Sequence, residues 1–320
     1  MPLVPVYAAG WALRAVGFLL GAEPVRRLQW PVVSVGNLSA GGTGKTPFTI
    51  ALAKLLVREG LHVDVLSRGY GRRSSGAARV NLAGTAEEFG DEPLLISREA
   101  DVPVFVARRR YEAGLLAERE SAVRGVHLLD DGFQHRQLAR DVDIVLVNSE
   151  DLADRLLPAG NLREPLSALR RATVLAVPVD DEAAVVRLRS LGLTQPVWRF
   201  RREMIVPEVD GPVLAFCGIA RPGQFFAGIE LAGVTIASRR VFPDHHRFRK
   251  SELKWLEFLA EWMTDRGEAL TLLTTEKDRL RIGALAVHLG NLPLLTVGLE
   301  ISFDDPAGIA QFLRTQLHLP

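Results

Sequence analysis

A short run of small residues and one lysine carries the clearest chemical signal in this 320-residue chain. The run consists of Gly41, Gly42, Thr43, Gly44, Lys45 and Thr46. Backbone N–H groups of such a loop can point at phosphate oxygens, and the start of the following helix adds partial positive charge. We expect Lys45 to reach the β- and γ-phosphates of a nucleoside triphosphate, and the Thr46 hydroxyl to ligate Mg²⁺.

The elements around this loop support the interpretation. An apolar, β-branched stretch begins at Val32 and predicts a buried strand, and an apolar helical pattern follows over 48–56. The loop departs from the usual pattern at Ser39, where a glycine ordinarily stands five residues before the second glycine. Gly41 and Gly42 supply that backbone freedom instead. A plain glycine-rich turn with a solvated lysine is the alternative.

A pair of aspartates predicts the other half of a nucleotide site. The apolar run 126–129 reads as a strand that ends in Asp130 and Asp131. A carboxylate at the end of such a strand can hold Mg²⁺, directly or through water, close to Thr46. An Asp-Asp-Gly sequence alone would suit a turn, but the phosphate loop upstream favours the metal site.

Basic residues follow two further predicted strands, at 68–73 and at 108–110. Ligands of open α/β sheets bind at the carboxyl ends of the strands, so these residues could bind an anionic substrate. A surface turn and a solvated helix start remain the alternatives.

Phosphoryl transfer also needs a group that orients or deprotonates the acceptor hydroxyl. Asp91 stands at a predicted helix start, and the candidate histidines are His135, His245 and His246. An Asp–His pair would suit this task, but the sequence does not show that the two side chains meet. A helix-dipole role for Asp91 and a structural role for each histidine are the alternatives.

Composition excludes several classes of protein. The net charge of +1 does not indicate a polyanion binder, so we expect no nucleic-acid partner. The single cysteine excludes an intramolecular disulfide and a CxxC metal site. Arginine outnumbers lysine by 34 to 5, which suits phosphate recognition, although a genomic composition bias explains the excess equally well.

Alternating strand and helix patterns predict an α/β fold with a P-loop NTPase-like, mostly parallel sheet flanked by helices, and a second, smaller α/β lobe. We divide the chain into an N-terminal membrane-interfacial helix (1–28), a nucleotide-binding core (29–165) and a C-terminal lobe (166–320). The Pro- and Gly-containing loop 157–165 could be the joint between the lobes.

The N-terminal segment 3–22 is apolar apart from Arg14. A helix from about Val6 to Leu20 would be ~22 Å long, shorter than the ~30 Å hydrocarbon core of a bilayer. We therefore predict a helix that lies in the membrane interface, with an ordinary core helix as the alternative. The residues expected to face lipid are Tyr7, Trp11, Phe18, Arg26 and Arg27.

Eight segments in order resemble motifs of the tetraacyldisaccharide 4′-kinases, the lipid A kinases of Gram-negative bacteria. They are SVGNLSAGGTGKTP, SRGYGRR, GDEP, LLDDGFQH, LPAGNLREP, CGIARP, FPDHHRF and TTEKD. The resemblance implies that ATP phosphorylates the 4′-hydroxyl of a tetraacyldisaccharide 1-phosphate, which gives lipid IVA. It also implies ATP and Mg²⁺ as cofactors and a peripheral location on the cytoplasmic face of the inner membrane.

The resemblance also implies roles for individual residues. Asp91 is the implied general base and His245 its partner. Glu164 joins Thr46, Asp130 and Asp131 as an acid near the metal. The implied substrate- or phosphate-binding residues are Arg110 and Arg163, with less defined roles for Tyr70, Glu92, Gln134 and His135.

Two other classes of protein are alternatives. A P-loop GTPase or metal-insertion chaperone should carry an Asn-Lys-x-Asp motif, which the sequence lacks; the segment Thr275–Asp278 has the wrong spacing. A non-catalytic, membrane-associated ATP-binding module would not require both Asp91 and His245 near the γ-phosphate.

Overall fold

The computed structural model describes residues 3–264 and 271–319. Its strands are β1 (Val32–Asn37), β2 (Val63–Ser67), β3 (Ala78–Arg79), β4 (Val104–Val106), β5 (Val126–Asp130), β6 (Val142–Leu146), β7 (Val174–Pro178), β8 (Val197–Ile205), β9 (Val213–Cys217), β10 (Ile236–Val241), β11 (Thr271–Thr275) and β12 (Leu294–Phe303). We predicted that β11 begins at Leu270, which lies outside the described residues.

The helices flank this sheet. They are α1 (Leu3–Leu19), α2 (Lys45–Arg58), α3 (Ala86–Phe89), α4 (Asp91–Ala100), α5 (Arg110–Glu120), α6 (Ser149–Ala153), α7 (Glu182–Ser190), α8 (Pro222–Leu231), α9 (Lys250–Thr264), α10 (Glu276–Ile282) and α11 (Pro306–Leu317). Within the described residues, 3₁₀ helices also cover Leu166–Arg171 and Gly283–Leu289.

The strands of the described residues form one sheet in the order β10-β9-β11-β12-β8-β7-β6-β1-β5-β2-β4-β3. Most neighbours are parallel, as in the pairing of β1 with β5 and β6. Antiparallel pairing occurs between β8 and β12 and between β3 and β4. The predicted α/β fold with a mostly parallel sheet is therefore confirmed.

Strands β8 and β12 connect the two ends of the sheet. They pair antiparallel from Gly298 opposite Ile205 to Phe303 opposite Phe200. Each strand extends past its parallel neighbour into this shared ladder. Strand β7, which follows the predicted boundary at residue 165, pairs with β6. The division into domains stays a prediction.

The core next to the phosphate loop is aromatic. Phe48 of α2 is fully buried, and its ring meets Phe200 of β8 and Phe303 of β12 edge-on, with centroids 5.3 and 5.1 Å apart. Edge-to-face aromatic pairs add to the free energy gained by burial. The start of α2, and with it the phosphate loop, is thereby packed against both connecting strands.

The N-terminal helix α1 contacts the rest of the protein through its aromatic residues, and our prediction that they also face lipid stays a prediction. The Tyr7 hydroxyl donates to the Arg163 carbonyl at 2.9 Å, and Trp11 Nε1 donates to Glu164 at 3.1 Å. The Arg136 guanidinium lies 4.4 Å from the Phe18 ring centroid. These polar atoms find partners on the protein, which a hydrophobicity pattern cannot reveal.

The two arginines after α1 are also held by the protein. Arg27 forms an ion pair with Asp141 at 2.7 Å, and the Arg26 guanidinium lies over the Tyr111 ring. The apolar side chains around α1 that remain exposed are Val6, Leu13, Val16 and Leu20. Among the described residues, no helix is both long and apolar enough to span a bilayer.

We predict that Phe200→Ala lowers the free energy of unfolding by ~3–5 kcal/mol, because it removes a buried ring from the aromatic cluster and leaves a cavity. Urea unfolding followed by circular dichroism measures the change. The control is Val186→Ala on α7, whose side chain is 64% exposed. Equal shifts of the unfolding midpoint in both variants would contradict the prediction.

Candidate active site

The phosphate loop leaves β1 at Asn37 and enters α2 at Lys45. Gly41 and Gly44 have φ values of 108° and 86°, which side chains rarely tolerate, so glycine is required at both positions. The loop is held by the segment 157–165: Ala40 N–H donates to the Asn161 carbonyl and Arg163 N–H to the Leu38 carbonyl, each at 2.7 Å. The segment that we considered as a domain joint is thus a neighbour of the phosphate loop.

A cleft of about 1110 Å³ opens beside this loop. Residues from distant parts of the chain line it, which brings most of the predicted site residues together. The predicted residues that line the cleft are Gly41, Gly42, Thr43, Gly44, Lys45, Thr46, Tyr70, Glu92, Arg110, Asp130, Asp131, Gln134, His135, Arg163 and His245. Of the predicted residues, Asp91, Glu164 and His246 do not line the cleft in the described structure.

The two aspartates after β5 have opposite electrostatic surroundings. Burial raises the pKa of Asp130 to about 7, and repulsion from Glu92 and Asp131 adds to that effect. Burial also opposes ionisation of Asp131, but attraction to Lys45 and Arg163 outweighs it and holds the pKa of Asp131 well below its usual value. Arg163 donates to both Asp131 oxygens at 2.9 and 3.1 Å, and Lys45 Nζ lies 3.6 Å away.

The chemistry of these groups fits a hard cation such as Mg²⁺. Asp130 is buried and accepts a hydrogen bond from Thr49 at 3.2 Å, but no ion pair to it is found among the described residues. The buried Thr43 hydroxyl has no hydrogen-bond partner there. No group of three or more His, Cys, Asp or Glu side chains forms a metal cage within residues 3–264 and 271–319. Magnesium usually takes one or two carboxylates, and phosphate oxygens and water complete its coordination, so the pair suffices.

Glu164 lies in a different environment from the one that the resemblance implies. Its Oε2 accepts hydrogen bonds from Trp11 at 3.1 Å and from Arg171 at 2.9 Å. The side chain is buried behind α1. The implied metal role of Glu164 stays a prediction, and its observed role is to hold α1 against the protein.

Asp91 and His245 meet, although they come from different ends of the sheet. Asp91 is the first residue of α4, and His245 lies in the loop between β10 and α9. His245 Nδ1 is 3.3 Å from Asp91 Oδ2. His245 has a φ of 56°, a strained conformation for a non-glycine residue that occurs often at functional sites.

Electrostatics favours the ionised carboxylate of Asp91. Burial would raise the pKa of Asp91, but the hydrogen bond from His245 and the charges of Arg281 and Lys277 hold it well below its usual value. The same hydrogen bond raises the pKa of His245, against a smaller opposing effect of burial. The neighbouring His246 instead bonds Glu252 at 3.0 Å and stacks on Phe242, which is a structural role.

Sequence reasoning missed two cations of α10. Lys277 Nζ lies 2.6 Å from Glu92, and the Arg281 guanidinium contacts Asp91. A usable signal was present, because Lys277 and Arg281 are four residues apart directly after a strand and so share one face of a helix.

Arg110 provides a buried positive charge in the cleft. Burial lowers its pKa to about 10, and its Nε has no hydrogen-bond partner in the described structure. Gln134 donates to the Asn37 carbonyl at 2.8 Å, while its buried Oε1 has no partner there. Groups with unused hydrogen-bonding capacity in a cleft can bind a polar ligand.

We predict that Asp130→Asn raises the melting temperature at pH 8 in metal-free buffer. The pKa of Asp130 is raised from 3.8 to about 7, so its ionised form destabilises the folded state above pH 7. The gain should shrink as the pH falls from about 7 towards 3.8.

The adjacent residue provides the control. Asp131 has a lowered pKa and stabilises the folded state at neutral pH, so Asp131→Asn should lower the melting temperature at pH 8. Thermal scans across this pH range, with EDTA present, measure both effects. A loss of stability in both variants at pH 8 would contradict the predicted difference.

Comparison with known proteins identifies the family. The family model described as tetraacyldisaccharide-1-P 4′-kinase matches residues 1–318. A tetraacyldisaccharide 4′-kinase of Koribacter versatilis is 43% identical over 315 residues, which cover 95% of this chain and 94% of that protein. The same-named protein of Afipia carboxidovorans is 37% identical, with 98% and 93% covered.

A solved structure supports the same family assignment. The crystal structure of the "apo" form of LpxK from Aquifex aeolicus in complex with ATP has a TM-score of 0.76 and 32% identity, and covers 99% of this chain and 98% of that one. The alternative of a GTPase-like switch or chaperone receives no support from these relatives. With the phosphate loop, the carboxylate pair and the Asp–His pair in one region, and with matches over nearly the whole chain, the protein belongs to the tetraacyldisaccharide 4′-kinase family.

Proposed function

We propose that this protein transfers the γ-phosphate of ATP to the 4′-hydroxyl of tetraacyldisaccharide 1-phosphate, which gives lipid IVA in lipid A biosynthesis. The observation that carries the proposal is the 3.3 Å approach of His245 to Asp91 beside a cleft that also contains the phosphate loop. A module that only binds ATP would not need an acid–base pair there.

The phosphate loop binds the triphosphate through its backbone N–H groups and Lys45. The loop residues assigned to the nucleotide are Gly41, Gly42, Thr43, Gly44, Lys45 and Thr46. Thr46, Asp130 and Asp131 would hold Mg²⁺, which neutralises charge on the transferring phosphoryl group when it is bound. The raised pKa of Asp130 supports this assignment, because a nearby cation would relieve the repulsion.

The Asp91–His245 pair accepts the proton of the 4′-hydroxyl while the hydroxyl oxygen bonds to phosphorus. General-base groups must come within hydrogen-bond reach of the proton that they remove. His245 lines the cleft, so an acceptor hydroxyl bound there can approach its imidazole, and Asp91 lies immediately behind it.

The remaining cleft residues bind the lipid headgroup. Arg110 and Arg163 are suited to phosphate or sugar oxygens, because arginine donates several N–H groups in a fixed geometry. Tyr70 is half exposed, and its ring centroid lies 5.0 Å from that of His245, so it can contact the sugar. Glu92, Gln134 and His135 are assigned to the same binding surface.

The protein acts as a peripheral enzyme on the cytoplasmic face of the inner membrane. The exposed side chains Val6, Leu13, Val16 and Leu20 support this, because the aromatic residues of α1 already bind the protein and leave an aliphatic surface outward. In this proposal residues 1–28 approach the lipid, 29–165 bind the nucleotide and 166–320 supply His245.

Transfer of ³²P from γ-labelled ATP to tetraacyldisaccharide 1-phosphate in detergent micelles tests the function. We expect labelling by the wild type, and a loss of kcat of ~10²–10⁴-fold in Asp91→Ala and His245→Ala, with ATP affinity retained. His246→Ala is the matched control, because its imidazole bonds Glu252 instead of Asp91. A folded, ATP-binding wild type that does not label the lipid would overturn the function, and full activity in both variants would overturn the roles of Asp91 and His245.

Vesicle binding tests the membrane contact. We expect the double substitution Leu13→Glu and Val16→Glu to lower co-sedimentation with phosphatidylglycerol vesicles at least ~10-fold, because each charge opposes insertion of the aliphatic surface. Leu231→Glu on α8, where the side chain is 88% exposed, is the control for added surface charge. Unchanged vesicle binding of the double variant would contradict the role of α1 and indicate that another surface of the protein binds the membrane.

A further inference from the structure

Arg281 of α10 is the most enclosed cation beside the Asp–His pair, with a side chain only 6% exposed. Its Nε and Nη2 both contact Asp91 Oδ2, the former at 2.7 Å. Its Nη1 donates to the Gly218 carbonyl at 2.6 Å and to Asp278 at 2.9 Å. The guanidinium is therefore anchored to the loop after β9 and to its own helix while it holds Asp91.

His245 and Arg281 share one oxygen of Asp91. His245 Nδ1 lies 3.3 Å from Asp91 Oδ2 and 3.2 Å from Arg281 Nη2. A guanidinium has only N–H donors, so it cannot accept a hydrogen bond from the imidazole. If Asp91 were neutral or turned away, Nδ1 would accept a hydrogen bond from Arg281. The imidazole proton would then reside on Nε2, and Nε2 could no longer accept a proton.

The charged groups around the pair are few. Asp91 faces His245, Arg281 and Lys277, and His245 faces Asp91, Arg281 and Asp244. Lys277 is itself paired with Glu92, and Arg281 is balanced in part by Asp278. Arg281 is thus the cation that contacts both members of the pair.

We propose that Arg281 is a positioning residue for phosphoryl transfer: it keeps the Asp91 carboxylate ionised and aligned with His245, so that the pair can accept the proton of the acceptor hydroxyl. The inference rests on the proposed function. In the step, the hydroxyl proton goes to the pair, the hydroxyl oxygen bonds to the γ-phosphorus, and the bond from that phosphorus to the bridging oxygen breaks, leaving its electrons on ADP.

The inference has a pH signature. The positive charge of Arg281 lowers the pKa of both Asp91 and His245. Without that charge both groups would keep their protons to higher pH, so the acid limb of the kcat profile would move to higher pH whichever group is the acceptor. Loss of a merely structural contact would lower kcat without moving this limb.

The experiment compares wild type, Arg281→Gln, Arg281→Lys and a control. Arg279→Gln is the control, because Arg279 lies on the same helix but donates to the Gly283 carbonyl. Lipid phosphorylation is followed between about pH 5.5 and 9.5, with kcat and both KM values determined at each pH. Nucleotide-induced changes in melting temperature verify that each variant folds and binds ATP.

We expect Arg281→Gln to move the acid limb up by about one pH unit and to lower kcat at neutral pH ~10–100-fold, with the KM for ATP unchanged. Arg281→Lys should leave the acid limb in place but lower kcat ~10-fold. An ammonium keeps the positive charge, but it lacks the planar pair of N–H donors that contacts Asp91 Oδ2. Arg279→Gln should match the wild type.

The two variants test separate roles of Arg281. A folded Arg281→Gln protein with an unmoved acid limb would overturn the electrostatic role, and an Arg281→Lys protein with wild-type kcat would overturn the aligning role. If Arg281→Gln fails to fold, the lysine variant still tests the alignment. A folded wild type that labels no lipid would instead be a failure of the proposed function.

Discussion

The arrangement of this site depends on the burial of like charges. Four carboxylates lie at or beside one cleft: Asp91 and Asp130 are buried, and Glu92 and Asp131 are partly exposed. Carboxylates this close can remain ionised together only where cations or hydrogen bonds compensate them. Asp91, Glu92 and Asp131 each have a cation within ion-pair distance, whereas Asp130 accepts a hydrogen bond from Thr49 at 3.2 Å and has a pKa raised to about 7. We therefore infer that Asp130 favours the binding of one more positive charge in the cleft.

The compensating cations come from both sides of the β8–β12 pair, which links the fold to the chemistry. Asp131 is paired with Lys45 and Arg163 of the phosphate-loop region, whereas Asp91 and Glu92 are paired with Arg281 and Lys277 of α10. The antiparallel pair β8–β12 joins the two parts of the sheet, which end in β3 and β10. The acid–base pair forms only when both ends of the sheet are in place, because His245 and its partner reside on different ones.

Local sequence patterns predicted the parts of this molecule that local interactions determine. The phosphate loop, the buried strand β1 and the start of α4 at Asp91 follow from glycine, β-branched and helix-start signals. Contacts between distant residues could not be predicted in this way. Arg281 and Asp91 are 190 residues apart, and the partners of Tyr7 and Trp11 are more than 150 residues away. Charge and polarity at those positions permit several partners, and only the fold selects one.

The charge of Lys45 is needed both by Asp131 in the protein and by the phosphates of the proposed ligand. Its ammonium lies 3.6 Å from Asp131, on which Arg163 also donates two hydrogen bonds. To serve the β- and γ-phosphates, Lys45 must share its charge between them and Asp131. A divalent cation between the two aspartates would neutralise carboxylate charge that Lys45 otherwise compensates, and it would also offset the charge of the phosphates. On the proposed assignment, we therefore expect nucleotide and metal binding to depend on each other, because each offsets charge that the other leaves unbalanced.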